Sequence, residues 1–342
     1  MNVSDMRVEA NFSDNMPELN FDNETIRAEV LRIAEYYLAL GVDGFRFDAA
    51  KYIYYGDHDA NAAFWEWYIG ELKKIKPDVY TVAEVWDSDS ITERYAGAVN
   101  CFNFTASQAS GLIATTAAAG NVNKFTAYIE GYIHQIKKLN PAAMNMLFVA
   151  NHDTDRAAGY LTVATHRMQM AANLYLLSPG SPFIYYGEEI GLRGSRGGAS
   201  TDANRRLAML WGDGDTVRDP VGATYEKANQ MPYTVADQMK DETSVYHYYR
   251  QLLMIRKAHP EIAAGDYRAL NFNDTKAGGF LCTLNGSTVC VLHNTTKRAV
   301  TLDLAAVTEL RFDTVSAYIG QGAAKLDGTV VTLEAQTSAV LR

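Results

Sequence analysis

Five short β-prone runs, separated from one another by helical patterns, constrain the fold of this chain more than any other feature. The runs are residues 42–47, 79–83, 99–104, 146–150 and 182–186. Strands that alternate with helices pack as a parallel sheet, because each helix returns the chain to the same end of the sheet. The sequence therefore predicts an α/β fold. It also predicts amphipathic helices at about 23–40 and 60–76, and a further helix at about 162–177.

Acidic side chains follow three of these runs. Asp48 follows the first, Glu84 the second and Asp153 the fourth. The C-terminal ends of parallel strands share one face of a barrel, so the three carboxyl groups are expected near one another. Arg46 precedes Asp48 by two residues and shares its strand face, where a guanidinium keeps a carboxylate ionised and oriented. A structural Arg–Asp pair explains that stretch alone equally well.

Three carboxyl groups at neighbouring strand ends suit the cleavage of a glycosidic bond. One carboxylate attacks or stabilises the sugar cation, and a second, kept protonated, donates to the leaving oxygen. A third carboxylate and an imidazole, here Asp153 and His152, are suited to holding the hydroxyls of a distorted sugar. The 21 Tyr, 13 Phe and 4 Trp residues offer flat faces for sugar rings, although aromatic side chains also fill cores.

Several motifs occur in the order that one family shows. They are MPELN at 16–20, GFRFDAAK at 44–51, VAEVW at 82–86, FVANHD at 148–153, PFIYYGEEIG at 182–191 and RLAMLW at 206–211. Together they resemble the α-amylase family, glycoside hydrolase family 13. The resemblance implies that Asp48 is the nucleophile, oriented by Arg46, and that Glu84 is the acid/base. It also implies that Asp153 stabilises the transition state and that His152 binds sugar hydroxyls.

Four further residues of these motifs are candidates for substrate binding. They are Lys51, Tyr52, Trp86 and Asn151. A solvated lysine and locally packed aromatic rings are the simpler interpretations for the first three.

The resemblance covers only the C-terminal portion of the family's fold. It implies a partial (β/α)8 TIM barrel, about strands 4 to 8, over residues 1–264, followed by a small all-β sandwich domain over 265–342. Short alternating runs between turn residues support the β domain. Strands one to three, with their Asp/Asn/His motif and stacking aromatic, have no counterpart. The open sheet edges are therefore expected to be covered by a second chain or by self-association.

The predicted function is retaining hydrolysis of α-1,4-glucosidic bonds in starch-like α-glucans or maltooligosaccharides. A truncated, non-catalytic glycan-binding fragment is the alternative from another class. Action on α-1,6 bonds or on cyclic dextrins is the alternative within the family, because part of the specificity resides in the missing domain.

Composition and departures from the family pattern narrow the choice of ligands. The formal charge of −9 argues against nucleic acid and anionic membranes, and no apolar run reaches membrane-spanning length. Glu18 stands where many family members have Asp, and Tyr52 where many have His. These substitutions weigh against a structural calcium ion, so no cofactor or metal ligand is assigned.

Cysteine usage and the N-terminus are less informative. Cys101, Cys282 and Cys290 lack metal-site spacing and are expected to be buried free thiols. Residues 1–7 lack the regions of a signal peptide, which leaves open the compartment of a longer parent enzyme, secreted or not.

Overall fold

A computed structural model describes residues 8–161, 166–197, 202–225, 229–231 and 233–342. The chain divides into two compact units. The first comprises residues 1–102 and 135–144, and the second comprises 103–134 and 145–342. The seven N-terminal residues considered for a signal peptide lie outside the described part. Among the described residues, no helix is both long and apolar enough to cross a membrane.

The helices in chain order are α1 Glu24–Ala39, α2 His58–Ile75, α3 Asp89–Tyr95, α4 Leu112–Ala119, α5 Val122–Leu139, α6 Ala157–Tyr160, α7 His166–Leu176, α8 Val235–Gln238, α9 Val245–Ala258 and α10 Pro260–Ala264. The strands are β1 Gly44–Phe47, β2 Tyr80–Ala83, β3 Asn100–Cys101, β4 Asp266–Leu270, β5 Ala277–Leu284, β6 Ser287–Asn294, β7 Val300–Asp303, β8 Val315–Gly320, β9 Ala324–Asp327, β10 Val330–Leu333 and β11 Thr337–Leu341.

The first unit contains a parallel sheet in the order β1-β2-β3. Helix α1 begins where the Asn23 side chain accepts a hydrogen bond from the backbone N–H of Thr25. It ends before Gly41, whose φ of +93° lets the chain turn into β1. The predicted helix and strand are therefore confirmed here. Helix α2 packs Trp65 and Leu72 into the core of this unit.

The fourth and fifth predicted strands are not formed as strands. Two backbone hydrogen bonds join their segments, from Ser181 N to Asn145 O at 3.0 Å and from Phe183 N to Leu147 O at 2.7 Å. Pro182 lies between the two donors and has no N–H of its own, so it has no hydrogen to offer a neighbouring strand. The prediction of five paired strands is therefore met only in part at 146–150 and 182–186, where backbone hydrogen bonds align the segments without a regular strand.

Two antiparallel sheets lie in the C-terminal region of the second unit. The larger has the order β4-β5-β6-β11-β8, and the smaller has the order β7-β10-β9. One apolar cluster contains Leu281 and Leu292 from the larger sheet together with Leu302 and Val331 from the smaller.

The β5–β6 hairpin turns at Asn285-Gly286, where both residues have positive φ. A turn of this length sets Cys282 opposite Val289. All three cysteines are buried and free, as predicted.

Candidate active site

The first unit brings Asp48 and Glu84 together through one guanidinium. Arg46 pairs with the Asp48 carboxylate through Nη1, and its Nη2 donates to Glu84 Oε2 at 2.7 Å. This arrangement follows from the sheet, because β1 and β2 run in parallel and Phe47 pairs with Ala83. Each carboxyl group is therefore one residue beyond the end of its strand.

The two carboxyl groups have different environments. The Glu84 side chain is 10% exposed, whereas that of Asp48 is 77% exposed. Burial raises the pKa of Glu84 above its ordinary value, and the nearby Asp48 carboxylate raises it further. The backbone N–H of Ala49, which donates to Glu84 Oε2 at 3.2 Å, and the charge of Arg46 lower this pKa and only partly offset the burial. Glu84 thus holds a proton more readily than a solvated glutamate does.

The backbone between the strand and the following turn is held in an unusual conformation. Ala49 has a φ of +44° and a ψ of +41°, in the left-handed region that non-glycine residues rarely adopt. Two hydrogen bonds flank it, from Glu84 N to Phe47 O and from Ala50 N to Glu84 O, both at 2.9 Å. The strained residue orients its N–H toward the Glu84 carboxylate, so the conformation contributes directly to the geometry of the pair.

Lys51, Tyr52 and Trp86 lie near this pair in sequence, and all three have contacts within the protein. Lys51 Nζ donates to Trp86 O and to Asp87 Oδ2, both at 2.8 Å. The Tyr52 ring packs on Phe12, with centroids 4.6 Å apart. The Trp86 residue is 41% exposed, which leaves indole surface open to a ligand.

The second unit brings Asn151, His152 and Asp153 together. Asn151 Oδ1 accepts the backbone N–H of Asp153 at 3.0 Å, and His152 Nε2 lies 3.1 Å from Asp153 Oδ2. Arg206 donates from Nη2 to Asp153 Oδ1 at 2.7 Å and from Nε to His152 O at 2.9 Å. These contacts fix the direction of the Asp153 carboxylate. Asp48 and Glu84 belong to the first unit, and Asp153 belongs to the second.

Two arginines that hold Asp153 were missing from the predicted site residues. Arg205 Nη1 donates to the backbone oxygen of Asp153 at 2.7 Å, and Arg206 binds its carboxylate. Arg206 opens the RLAMLW motif at 206–211, so the motif itself was the available signal.

Glu188 is a second residue whose environment the sequence did not reveal. It begins the 3₁₀ turn Glu188–Ile190. However, Glu188 is buried, and its Oε1 accepts hydrogen bonds from the hydroxyls of Tyr175 and Tyr249, each at 2.7 Å. Burial raises its pKa to about 7, despite the hydrogen bonds from the two tyrosines.

The described residues do not fit a metal ion. They contain no group of three or more His, Cys, Asp or Glu side chains placed to bind one. Glu18 Oε1 accepts the backbone N–H of Asn11, and Tyr52 contacts Phe12. We therefore derive no step through calcium.

A pair of carboxyl groups at the ends of adjacent strands is typical of glycoside hydrolases that use one acid and one nucleophile. The family model described as "Alpha amylase, catalytic domain" matches residues 8–265. This match covers well over half of the chain, so the chain belongs to the alpha-amylase family through its catalytic domain, with further sheets in the C-terminal region.

Individual relatives support the same family. Alpha-amylase 3 from Dictyoglomus thermophilum is 34% identical over 286 residues, covering 83% of this chain and 56% of that protein. Alpha-amylase SusG from Bacteroides thetaiotaomicron is 29% identical over 296 residues, covering 79% and 40%. The solved structure of Eubacterium rectale Amy13B aligns with a TM-score of 0.88 at 30% identity, covering 97% of this chain and 66% of that one. Other relatives are named cyclomaltodextrinase and 4-alpha-glucanotransferase. The chain thus spans less than two thirds of the length of these three relatives.

Proposed function

We propose that this protein is a retaining glycoside hydrolase that cleaves α-1,4-glucosidic bonds in starch-like α-glucans. The observation that carries the proposal is the Arg46-bridged pair of Asp48 and Glu84. One guanidinium contacts both carboxyl groups, so they lie within the reach of a single side chain. Retention requires a short separation of about 5–5.5 Å between the carboxyl groups, because the nucleophile attacks without an intervening water.

The different environments of the pair assign the two roles. Glu84, with its raised pKa, donates its proton to the glycosidic oxygen as the bond breaks. Asp48, ionised beside Arg46, attacks the anomeric carbon and forms a covalent glycosyl–enzyme. A water molecule then attacks the same carbon, gives its proton to Glu84 and releases the Asp48 carboxylate. The enzyme returns to its starting protonation state after one turnover.

Asp153 and His152 would hold the sugar during these steps. We assign Asp153 to the stabilisation of the distorted sugar and His152 to a hydroxyl contact, with Asn151 maintaining the turn that presents them. The exposed indole of Trp86 is assigned to stacking on a sugar ring. Lys51 and Tyr52 retain their assignment as substrate-binding residues, although their contacts with Asp87 and Phe12 favour a supporting role.

The finer architecture belongs to the same proposal. We infer that residues 1–264 form strands 4 to 8 of a (β/α)8 barrel and that 265–342 form a β-sandwich. The shared apolar cluster of the two antiparallel sheets supports the sandwich. The parallel order β1-β2-β3 supports the barrel.

The surface beside β1 is proposed to bind another polypeptide segment. Among the described residues, β1 pairs with β2 alone, so its outer edge has no strand beside it. Helix α1 exposes apolar side chains at helical spacing. They are Ile33, Tyr36, Tyr37 and Leu40. An exposed apolar stripe and an open sheet edge within one unit each favour association with a second chain or with another copy of this one.

The activity is tested by measuring reducing-sugar release from soluble starch by the purified chain. We expect activity that falls by at least about a hundredfold in Glu84→Gln, because the amide has no proton to donate. Glu66→Gln, an exposed glutamate on α2, is the matched control and should retain activity. Equal activity in Glu84→Gln and wild type would contradict the assignment.

The alternatives have distinct outcomes in the same experiment. Maltooligosaccharide binding without hydrolysis by wild type would identify a glycan-binding fragment. The relatives named cyclomaltodextrinase favour a second candidate, action on cyclic dextrins. Replacing starch by cyclodextrin or by an α-1,6-linked glucan measures that preference.

A further inference from the structure

A cavity of about 460 Å³ in the second unit is lined by four basic side chains and, among the described residues around it, by no acidic one. The four are Arg167, Lys276, Lys297 and Arg298. The protein as a whole carries a formal charge of −9, so this cluster is opposite in sign to the rest of the molecule. The site lies outside the proposed catalytic residues, and the inference does not rest on hydrolase activity.

The basic side chains of this cluster are not neutralised by ion pairs. Within the described part of the chain none of the four pairs with a carboxylate, whereas Arg46, Lys51 and Arg205 each do. The carboxylate of Asp274, a close neighbour in sequence, accepts the backbone N–H of Lys276 at 2.8 Å.

The backbone that carries these side chains is tightly held. Asn294 is fully buried, and its Nδ2 donates to Arg298 O and to Glu334 O, both at 2.8 Å. Its Oδ1 accepts the N–H of Thr296 at 2.9 Å. On the opposite side the stem of Lys276 lies over Gly120, where an added Cβ would come within 2.7 Å of Lys276 Cγ. The basic side chains therefore extend from backbone segments whose positions are fixed by these contacts.

The nearby helix end cannot balance this charge. The last residues of α4, 117–119, line the cavity, and the carbonyl end of a helix carries about half a negative charge. The half charge at the helix end is small beside four cationic side chains, so most of the positive charge around the cavity stays uncompensated. Like charges around one cavity repel each other, and a bound anion would relieve that repulsion.

We propose that this cavity binds a phosphate group, either as inorganic phosphate or as a phosphate monoester on a sugar. A phosphate presents several acceptor oxygens and close to two negative charges, which guanidinium and ammonium groups match with charge-assisted hydrogen bonds. The volume lies within the range of small-molecule pockets and exceeds the needs of a bare phosphate, so a sugar attached to it can be accommodated.

The test is isothermal titration calorimetry of the full chain in low-salt, phosphate-free buffer. Inorganic phosphate and glucose 6-phosphate are the probes, and maltose is the neutral comparison. We expect both phosphates to bind and maltose to give no signal from this site. The double variant Lys297→Ala/Arg298→Ala should weaken phosphate binding by at least about tenfold, since charge-assisted hydrogen bonds are lost.

A matched control separates the cavity from net charge. The variant Arg311→Ala/Lys325→Ala removes two exposed cations elsewhere in the C-terminal region and should leave phosphate binding unchanged. Tighter binding of glucose 6-phosphate than of inorganic phosphate would identify a sugar-borne group, and equal binding would identify free phosphate. The proposal is overturned if neither probe binds to wild type, or if the cavity variant and the control respond alike. Circular dichroism of each variant verifies its fold, and the charge-preserving Lys297→Arg should retain binding.

Discussion

At the scale of single residues, the identity of a group is readable from the sequence but its environment is not. Asp48 and Glu84 could be selected because they follow β-prone runs within specific motifs. The burial of Glu84 and the positive φ of Ala49 could not be predicted from the sequence. Both depend on how β2 packs against the turn after β1. Arg206 was not selected as a site residue for a related reason. An arginine in an aperiodic stretch is equally compatible with a solvated surface position.

Glu188 leads to a prediction about pH and stability. Its pKa of about 7 in the folded protein exceeds the ordinary value of 4.5, because burial disfavours the charged form. The folded state therefore holds this proton more tightly than the unfolded state does. The contribution of Glu188 to the free energy of unfolding is expected to be largest below about pH 4.5. This contribution should fall by about 3 kcal/mol as the pH rises through 7.

The measurement is chemical denaturation of wild type and Glu188→Gln between pH 4 and pH 8. The difference between the two proteins isolates this group, because other titrating groups are common to both. We expect the variant to lack this decrease, whereas Glu309→Gln, an exposed glutamate, keeps it. Parallel profiles for wild type and Glu188→Gln would show that Glu188 titrates normally.

At the scale of elements, predictions succeeded where local signals agreed with packing. The first helix has an N-cap asparagine and a terminal glycine, and it forms within one residue of the predicted bounds. The segments 146–150 and 182–186 have strand composition and are joined by backbone hydrogen bonds, but they form no regular strand, because regular pairing depends on neighbours that no local pattern describes. The predicted helix over 162–177 forms from His166 to Leu176, and its first four residues lie outside the described part.

Helix α2 supports the turn after β1 through Asn61, which gives a prediction about this element. Asn61 is fully buried, and its Nδ2 donates to the backbone oxygens of Lys51 at 3.0 Å and of Tyr54 at 2.7 Å. Its Oδ1 accepts the N–H of Tyr54 at 3.1 Å. In Asn61→Ala these buried backbone groups lose their side-chain partner, so we expect the free energy of unfolding to fall by roughly 2–4 kcal/mol.

Thermal and chemical denaturation of Asn61→Ala measure this loss. The control is Asn20→Ala, because Asn20 is exposed and its side chain accepts a single backbone N–H from Asp22. The control should stay within about 0.5 kcal/mol of wild type. A loss in Asn61→Ala no larger than in Asn20→Ala would mean that the turn does not depend on this amide.

At the scale of the whole molecule, the sequence motifs indicated the family, but they did not predict which apolar surfaces stay exposed. Ile33 and Tyr37 lie four residues apart, at the spacing of one helix face, yet both are exposed. An amphipathic pattern indicates that one face of the helix packs against an apolar surface, but it does not indicate which chain supplies that surface.

The apolar stripe of α1, residues Ile33, Tyr36, Tyr37 and Leu40, leads to the last prediction. We expect the 37.8 kDa chain to self-associate as its concentration rises, because the stripe and the open edge of β1 otherwise remain in water. Analytical ultracentrifugation measures the mass. Tyr36→Lys/Leu40→Lys places charges in the stripe and should give a monomer, whereas Glu35→Lys, on another face of α1, should associate like wild type. A wild type that stays monomeric would contradict self-association. Recovery of starch hydrolysis on adding a separately expressed N-terminal portion of a relative would then indicate that a second chain covers this surface.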